Sequence, residues 1–214
     1  SIVRSRRFLY YFILSTVSKM KRKAHNIICL EAEWPYNSGK KEDRFNLKTE
    51  SLLNWLKEFH QCDVIYRHIL HKADLQHYLD YFLPTKRDFK NHEIIYIACH
   101  GNEAVIHLED GDIDLDTLAE MAGGFFEGRI VHFSSCKTLA DSGAAQHFKS
   151  RTKAKLVSGY TKSVDAMKSA IADMALFNDL MYITRNFGLI TNNERSSFRK
   201  TYRSLLEELG FVAY

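Results

Sequence analysis

The sequence predicts an α/β protein, a three-layer α/β/α sandwich built on a mostly parallel central sheet. Three observations carry the prediction. Short runs such as residues 94–98 (IIYIA) are apolar without a break, as strands covered on both faces are. These runs alternate with longer segments whose apolar residues recur every three to four positions, as on amphipathic helices. A chain of 214 residues that is 45% hydrophobic and holds two prolines can bury one large core.

The elements follow in order. Residues 26–30 (NIICL) read as the first strand, and residues 36–44 as a polar loop rich in Lys and Gly. Leu52, Leu53, Leu56 and Phe59 have helical spacing, and residues 63–69 (DVIYRHI) form the second strand. Leu75, Leu79 and Phe82 mark a helix that stops near Pro84. Residues 93–99 (EIIYIAC) are the third strand. After it, residues 104–108 and the turn 109–112 (EDGD) suggest a short hairpin, then a helix over 116–121. Residues 129–133 (RIVHF) and 155–158 (KLVS) are two more strands, with a helix over 140–151 between them. Ser163 is placed to cap a long helix whose Ala166, Met167, Ala170, Ile171, Met174 and Met181 share a face. A last helix, about 194–209, carries Phe198, Tyr202, Leu205, Leu206 and Leu209 on its stripe.

The formal net charge of +4 does not describe the body of the protein. Residues 1–23 hold seven of the 30 basic side chains and none of the 26 acids, so the rest carries 23 basic against 26 acidic groups, a net of −3. Nucleic acid is therefore not an expected partner. The organisation expected is a basic, apolar extension over 1–23 and a single domain over 24–214. The apolar stretch 8–14 is far shorter than the ~20 residues that span a bilayer, and no small-residue cleavage site follows it. Residues 1–19 read as a cloning remnant or an over-extended start, with the natural chain opening at Met20; the alternative is a basic aromatic helix lying on a membrane surface. Cys29, Cys62, Cys99 and Cys136 show no CxxC pair and no disulfide framework, which points to a reducing, cytoplasmic setting. Neither a cofactor nor a metal is expected. The chain has no GxGxxG or P-loop, and its acids at 109–116 lack the order of a calcium loop.

In a parallel sheet the reactive groups sit just past the carboxyl ends of the strands. Two strand ends stand out: His100-Gly101 follows EIIYIAC, and Ser134-Ser135-Cys136 follows RIVHF. On neighbouring strands they bring an imidazole and a thiol to one edge. The thiolate is the nucleophile, and His supplies the base that forms it and the acid that protonates a leaving amine. Gly101 lets a carbonyl approach, and its N–H with that of Cys136 could form an oxyanion hole. The structural alternative has His100 ending a strand and Cys136 packing under a helix.

These residues carry a resemblance. IACHG, IHLEDGDIDLDTLAEM, IVHFSSCKT and LVSGYTKSVDAMKSAIADMALFNDL, in that order over roughly residues 90–183, resemble the caspase-like cysteine peptidases and among them the CHAT family. Ser135 stands where that family usually has Ala and Tyr160 where Trp is common; neither change removes a catalytic group. The resemblance implies a caspase-like fold and a cysteine endopeptidase that cleaves a protein or peptide through an acyl-enzyme. Cys136 would be the nucleophile, His100 the general base and acid, and Gly101 an oxyanion contributor. Ser158, Tyr160 and Asp165 fall where this class builds its first substrate pocket. An acid there would favour Lys or Arg before the cleaved bond, whereas Asp165 can equally serve as a charge at a helix N-terminus. The repeats that often accompany CHAT domains are absent, so an activating partner would bind in trans. The expected setting is prokaryotic signalling or defence; the alternative is a non-catalytic interaction module on the same fold.

Overall fold

In the computed structural model residues 25–32 and 48–214 are described; the extension over 1–23, Met20 and the loop 36–44 lie outside them. β1 (Ile27–Glu31) is followed by α1 (Glu50–His60), β2 (Val64–His68) and α2 (Lys72–Tyr81). β3 (Ile94–Ala98) leads into a small sheet of β4 (His100–Asn102), β5 (Val105–Leu108) and β6 (Gly111–Asp114), then α3 (Leu115–Ala122). β7 (Ile130–Ser134), α4 (Ser142–Thr152), β8 (Leu156–Tyr160) and α5 (Ala166–Leu180) come next. The chain closes with α6 (Gly188–Thr191), α7 (Ser197–Thr201), α8 (Arg203–Leu209) and β9 (Phe211–Ala213).

The main sheet has six strands in the order β2-β1-β3-β7-β8-β9. All neighbours are parallel except β9, which runs antiparallel to β8. Every residue of β1, β3, β7 and β8 is buried, which is why these strands read as unbroken apolar runs, whereas β2 lies at an edge and is only partly covered. Alternate side chains go to opposite faces. Ile95, Ile97, Val131 and Phe133 pack with Leu75, Leu118 and Phe148 from α2, α3 and α4. Tyr96, Ala98, Ile130 and Tyr160 lie in a second cluster with Leu53 and Leu56 of α1 and Leu176, Phe177 and Leu180 of α5. The protein is thus α/β, with a mostly parallel sheet flanked by helices on both faces, an arrangement compatible with a three-layer sandwich.

Three elements differ from the sequence reading. The long fifth helix is capped by Asp165 and not by Ser163: Asp165 Oδ1 accepts from the amides of Met167 (3.0 Å) and Lys168 (2.9 Å), a reach that Ser163 is too far back to make. The last helix is two pieces. Asn192 Oδ1 accepts from the amides of Glu194 and Arg195, holding them in a turn, so helix begins only after Ser196, and Tyr202 leaves helical geometry between α7 and α8. Beyond Gly210, in the left-handed conformation that ends α8, three residues add β9 to the sheet.

Candidate active site

β3 and β7 are parallel neighbours in which Ala98 pairs with Ser134, and the Cys99 amide donates to the Ser134 carbonyl at 3.3 Å. Two residues past this pair come His100 and Cys136, and the Cys136 carbonyl oxygen packs against Gly101. The strand ends themselves, Ala98 and Ser134, lie on the face covered by α1 and α5. His100 opens β4, where it pairs with His107 of β5. The β4–β6 sheet is pinned to the Cys136 loop by Thr138, whose hydroxyl donates to the Val105 carbonyl at 3.2 Å and lies 2.6 Å from Ser135 Oγ.

Gly101 closes this contact. A Cβ built on it would lie 2.3 Å from Thr138 Oγ1 and 3.0 Å from the Cys136 carbonyl oxygen. No side chain fits between β4 and the Cys136 loop, and the absence of one holds the loop against the residue that follows His100. Lys137, next to Cys136, adopts φ +56°, a left-handed conformation rare for a side chain of this kind, and its amide is tied to the Lys162 carbonyl at 3.0 Å.

Among the four cysteines, Cys29, Cys62 and Cys99 are buried and Cys136 alone is half-exposed. Burial pushes the Cys99 thiol up to about 12, and drives Cys29 and Cys62 upward as well, so these three stay protonated and unreactive. The Cys136 Sγ instead accepts from the Val164 amide at 3.4 Å and lies 4.0 Å from the Val164 carbonyl oxygen. Burial, reinforced by His107, holds His100 below the ordinary histidine value, so at neutral pH its imidazole is uncharged and can take up a proton. A half-exposed thiol, a backbone donor and a neutral imidazole at one sheet edge can form a thiolate, attack an electrophilic carbon and return a proton to a leaving group.

The remaining substrate-pocket expectations divide. Ser158 and Tyr160 are fully buried, with their polar atoms turned into the network under α5. Their strand, β8, lies inside the sheet, and α5 covers the face they occupy. Ser158 Oγ pairs with His132 Nδ1 at 2.9 Å, and the Tyr160 hydroxyl donates to Asp173. Asp165 is exposed, but both of its helix bonds converge on one oxygen in the cap of α5.

Asp173 is the polar centre that the sequence reading did not identify. It is fully buried in α5 and accepts from Tyr96 (2.8 Å), His132 Nε2 (2.6 Å), Ser134 (2.6 Å) and Tyr160. Burial pushes its carboxyl up, but His132 and the surrounding hydroxyls outweigh that and hold it below the usual carboxylate range. The signal in the sequence was an acid set within an apolar stretch of α5, Ala170-Ile171-Ala172 before it and Met174 to Phe177 after it. The network fastens α5 to β3, β7 and β8, and Ser134 stands two residues before Cys136.

Among the described residues no group of three His, Cys, Asp or Glu side chains is arranged to hold a metal ion, and no helix is long and apolar enough to cross a membrane. No curated protein matches the sequence. Residues 24–214 do match the model of a family described as "Family of unknown function (DUF6642)", and the chain belongs to that family.

Proposed function

We propose that this protein is a caspase-like cysteine endopeptidase in which Cys136 and His100 form the catalytic dyad. The observation that carries the reading is the approach of the two strand ends. His100 and the one half-exposed thiol, Cys136, each stand two residues past the paired ends of β3 and β7, and Gly101, next to His100, packs against the Cys136 carbonyl oxygen. The order strand, hairpin, helix, strand over residues 94–134 supports the resemblance to the CHAT family, and so does the helix after β8.

In this mechanism the Cys136 thiol gives its proton to His100. Sγ then bonds to the scissile carbonyl carbon, whose oxygen takes the negative charge and is stabilised by backbone N–H groups at Gly101 and Cys136. Collapse breaks the C–N bond, and the His100 imidazolium protonates the departing amine. Water, losing a proton to His100, attacks the thioester; the C–S bond breaks, the acid leaves and the thiol is restored.

The test is covalent labelling with a peptidyl electrophile, comparing wild type with Cys136→Ala and His100→Ala. Labelling of wild type, none of Cys136→Ala and at least tenfold slower reaction of His100→Ala is the expected result. A wild type that reacts no faster than His100→Ala removes the dyad and leaves an interaction module on this fold as the better reading.

A further inference from the structure

The sheet face that holds Ala98 and Ser134, two residues before His100 and Cys136, carries a groove. It lies between α1 and α5, has a volume of about 670 Å³, and ends on Ala98 and Ser134, the last residues of β3 and β7. Its inner end is therefore two residues from His100 and from Cys136. At the same end Ala166 and Met167 line it, just past the Val164 amide that contacts Cys136 Sγ.

Both walls are apolar and poorly covered. Trp55 of α1 is 66% exposed, Met167 of α5 66% and Ile171 50%, with Leu52 and Phe59 also exposed. Their spacing places them on one side of each helix, facing the same groove. Apolar surface concentrated in this way marks a site that something covers.

Charge narrows what that is. Its charged lining residues are one acid and one base, Glu31 and the exposed Lys48, so the groove has no net charge; the Glu31 carboxylate already accepts from the Thr49 amide and hydroxyl, each at 3.2 Å, and from the Tyr66 hydroxyl. Burial also pushes it above the ordinary carboxylate value, so it makes a poor partner for a cationic side chain. From Ser51 to Phe59 the α1 wall runs about 12 Å at 1.5 Å per residue, the length of about four residues of extended peptide.

We propose that the α1–α5 groove holds an apolar run of about four residues of the polypeptide presented to Cys136. Cleavage then falls beside Leu, Ile, Met or Phe, and not beside Asp, Lys or Arg. The inference rests on Cys136 and His100 acting as the dyad, and it replaces the basic-side-chain preference that an acidic pocket at Asp165 would give.

The test uses the full chain and three peptidyl acyloxymethyl ketones, with Leu-Phe, Ser-Lys and Ser-Asp repeats ahead of the reactive ketone. Each rate is divided by the rate of iodoacetamide with the same protein, since iodoacetamide needs no groove. The expected result is labelling of Cys136 at least tenfold faster by the apolar probe, with Trp55→Glu and Ile171→Glu each removing that advantage. Both positions are exposed, so the variants fold, as circular dichroism will verify. Equal normalised rates for the three probes overturn the groove and leave the dyad standing, as does a preference that survives both substitutions. If iodoacetamide reacts with wild type no faster than with His100→Ala, the dyad itself fails and the groove loses its substrate.

Discussion

Gly101 is glycine because of its neighbours and not because of its backbone torsions. Gly101→Ala would drive a methyl into Thr138 Oγ1 and the Cys136 carbonyl. The expected cost is ~1–3 kcal/mol, from the strain of overpacking, together with a loss of at least tenfold in Cys136 labelling as β4 moves off the loop. Urea denaturation and labelling rates measure the two separately. His100 makes a prediction in pH. Because burial depresses its value below 6.5, the neutral base is lost only as pH falls below that point. kcat/KM for a peptide should therefore still exceed half of its plateau at pH 6.5. A midpoint above 6.5 would instead mean that His100 is charged beside a thiolate. Asp165 separates cap from pocket: Asp165→Ala should lower stability by ~1 kcal/mol and leave the ranking of peptide probes unchanged. A lost preference for lysyl probes would restore the acidic-pocket reading.

At the scale of elements, α5 explains both what was legible and what was not. Its stripe of Ala166, Met167, Ala170, Ile171 and Met174 reads as a core face, yet these residues line the groove, while Ala172, Leu176, Phe177 and Leu180 pack on the sheet. The helix is apolar on two sides, and periodicity alone cannot say which side meets the strands. Asp173 was illegible for a different reason. Its partners Tyr96, His132 and Ser134 stand 77, 41 and 39 residues away, and no local pattern links them. The places of His100 and Cys136, just past β3 and β7, were legible because strand ends are visible as the limits of apolar runs. β9 was not, since three residues show no period. Removing the centre of the network should be severe: Asp173→Ala takes the shared acceptor from Tyr96, His132, Ser134 and Tyr160, of which Tyr160 keeps the Ser169 carbonyl, and is expected to lose ~3–5 kcal/mol, read from the urea midpoint. Asp173→Asn, which keeps the shape, should lose less.

The whole molecule is also tied together at the opposite end of the strands. Glu93, just before β3, lies 3.1 Å from His25 Nδ1 and 3.4 Å from Lys155 Nζ, so one carboxylate joins the starts of β1, β3 and β8. The bond with His25, aided by Lys155, holds it at about 2, well below 4.5. A carboxyl depressed on folding adds stability above pH 4.5 and loses it as pH falls toward 2. Glu93→Gln should accordingly weaken the protein at pH 7, and the gap between the two urea midpoints should close between pH 4.5 and 2. A gap independent of pH would show that the charge is not what binds these strands.

The alternation of faces along β3, β7 and β8 reaches further than packing. One face is plain hydrocarbon: Ile95, Ile97, Val131, Phe133 and Val157 touch only other apolar groups' territory under α2, α3 and α4. The other face holds Tyr96, His132, Ser134, Ser158 and Tyr160, and the groove. The sheet therefore divides the protein into a half that can drift and a half that cannot. Swaps among Ile, Val and Leu on the first face can retune melting temperature while leaving chemistry alone. A single inserted residue in β7 would exchange the two faces for the rest of that strand. Tolerance to mutation, scored strand by strand, should alternate with a period of two.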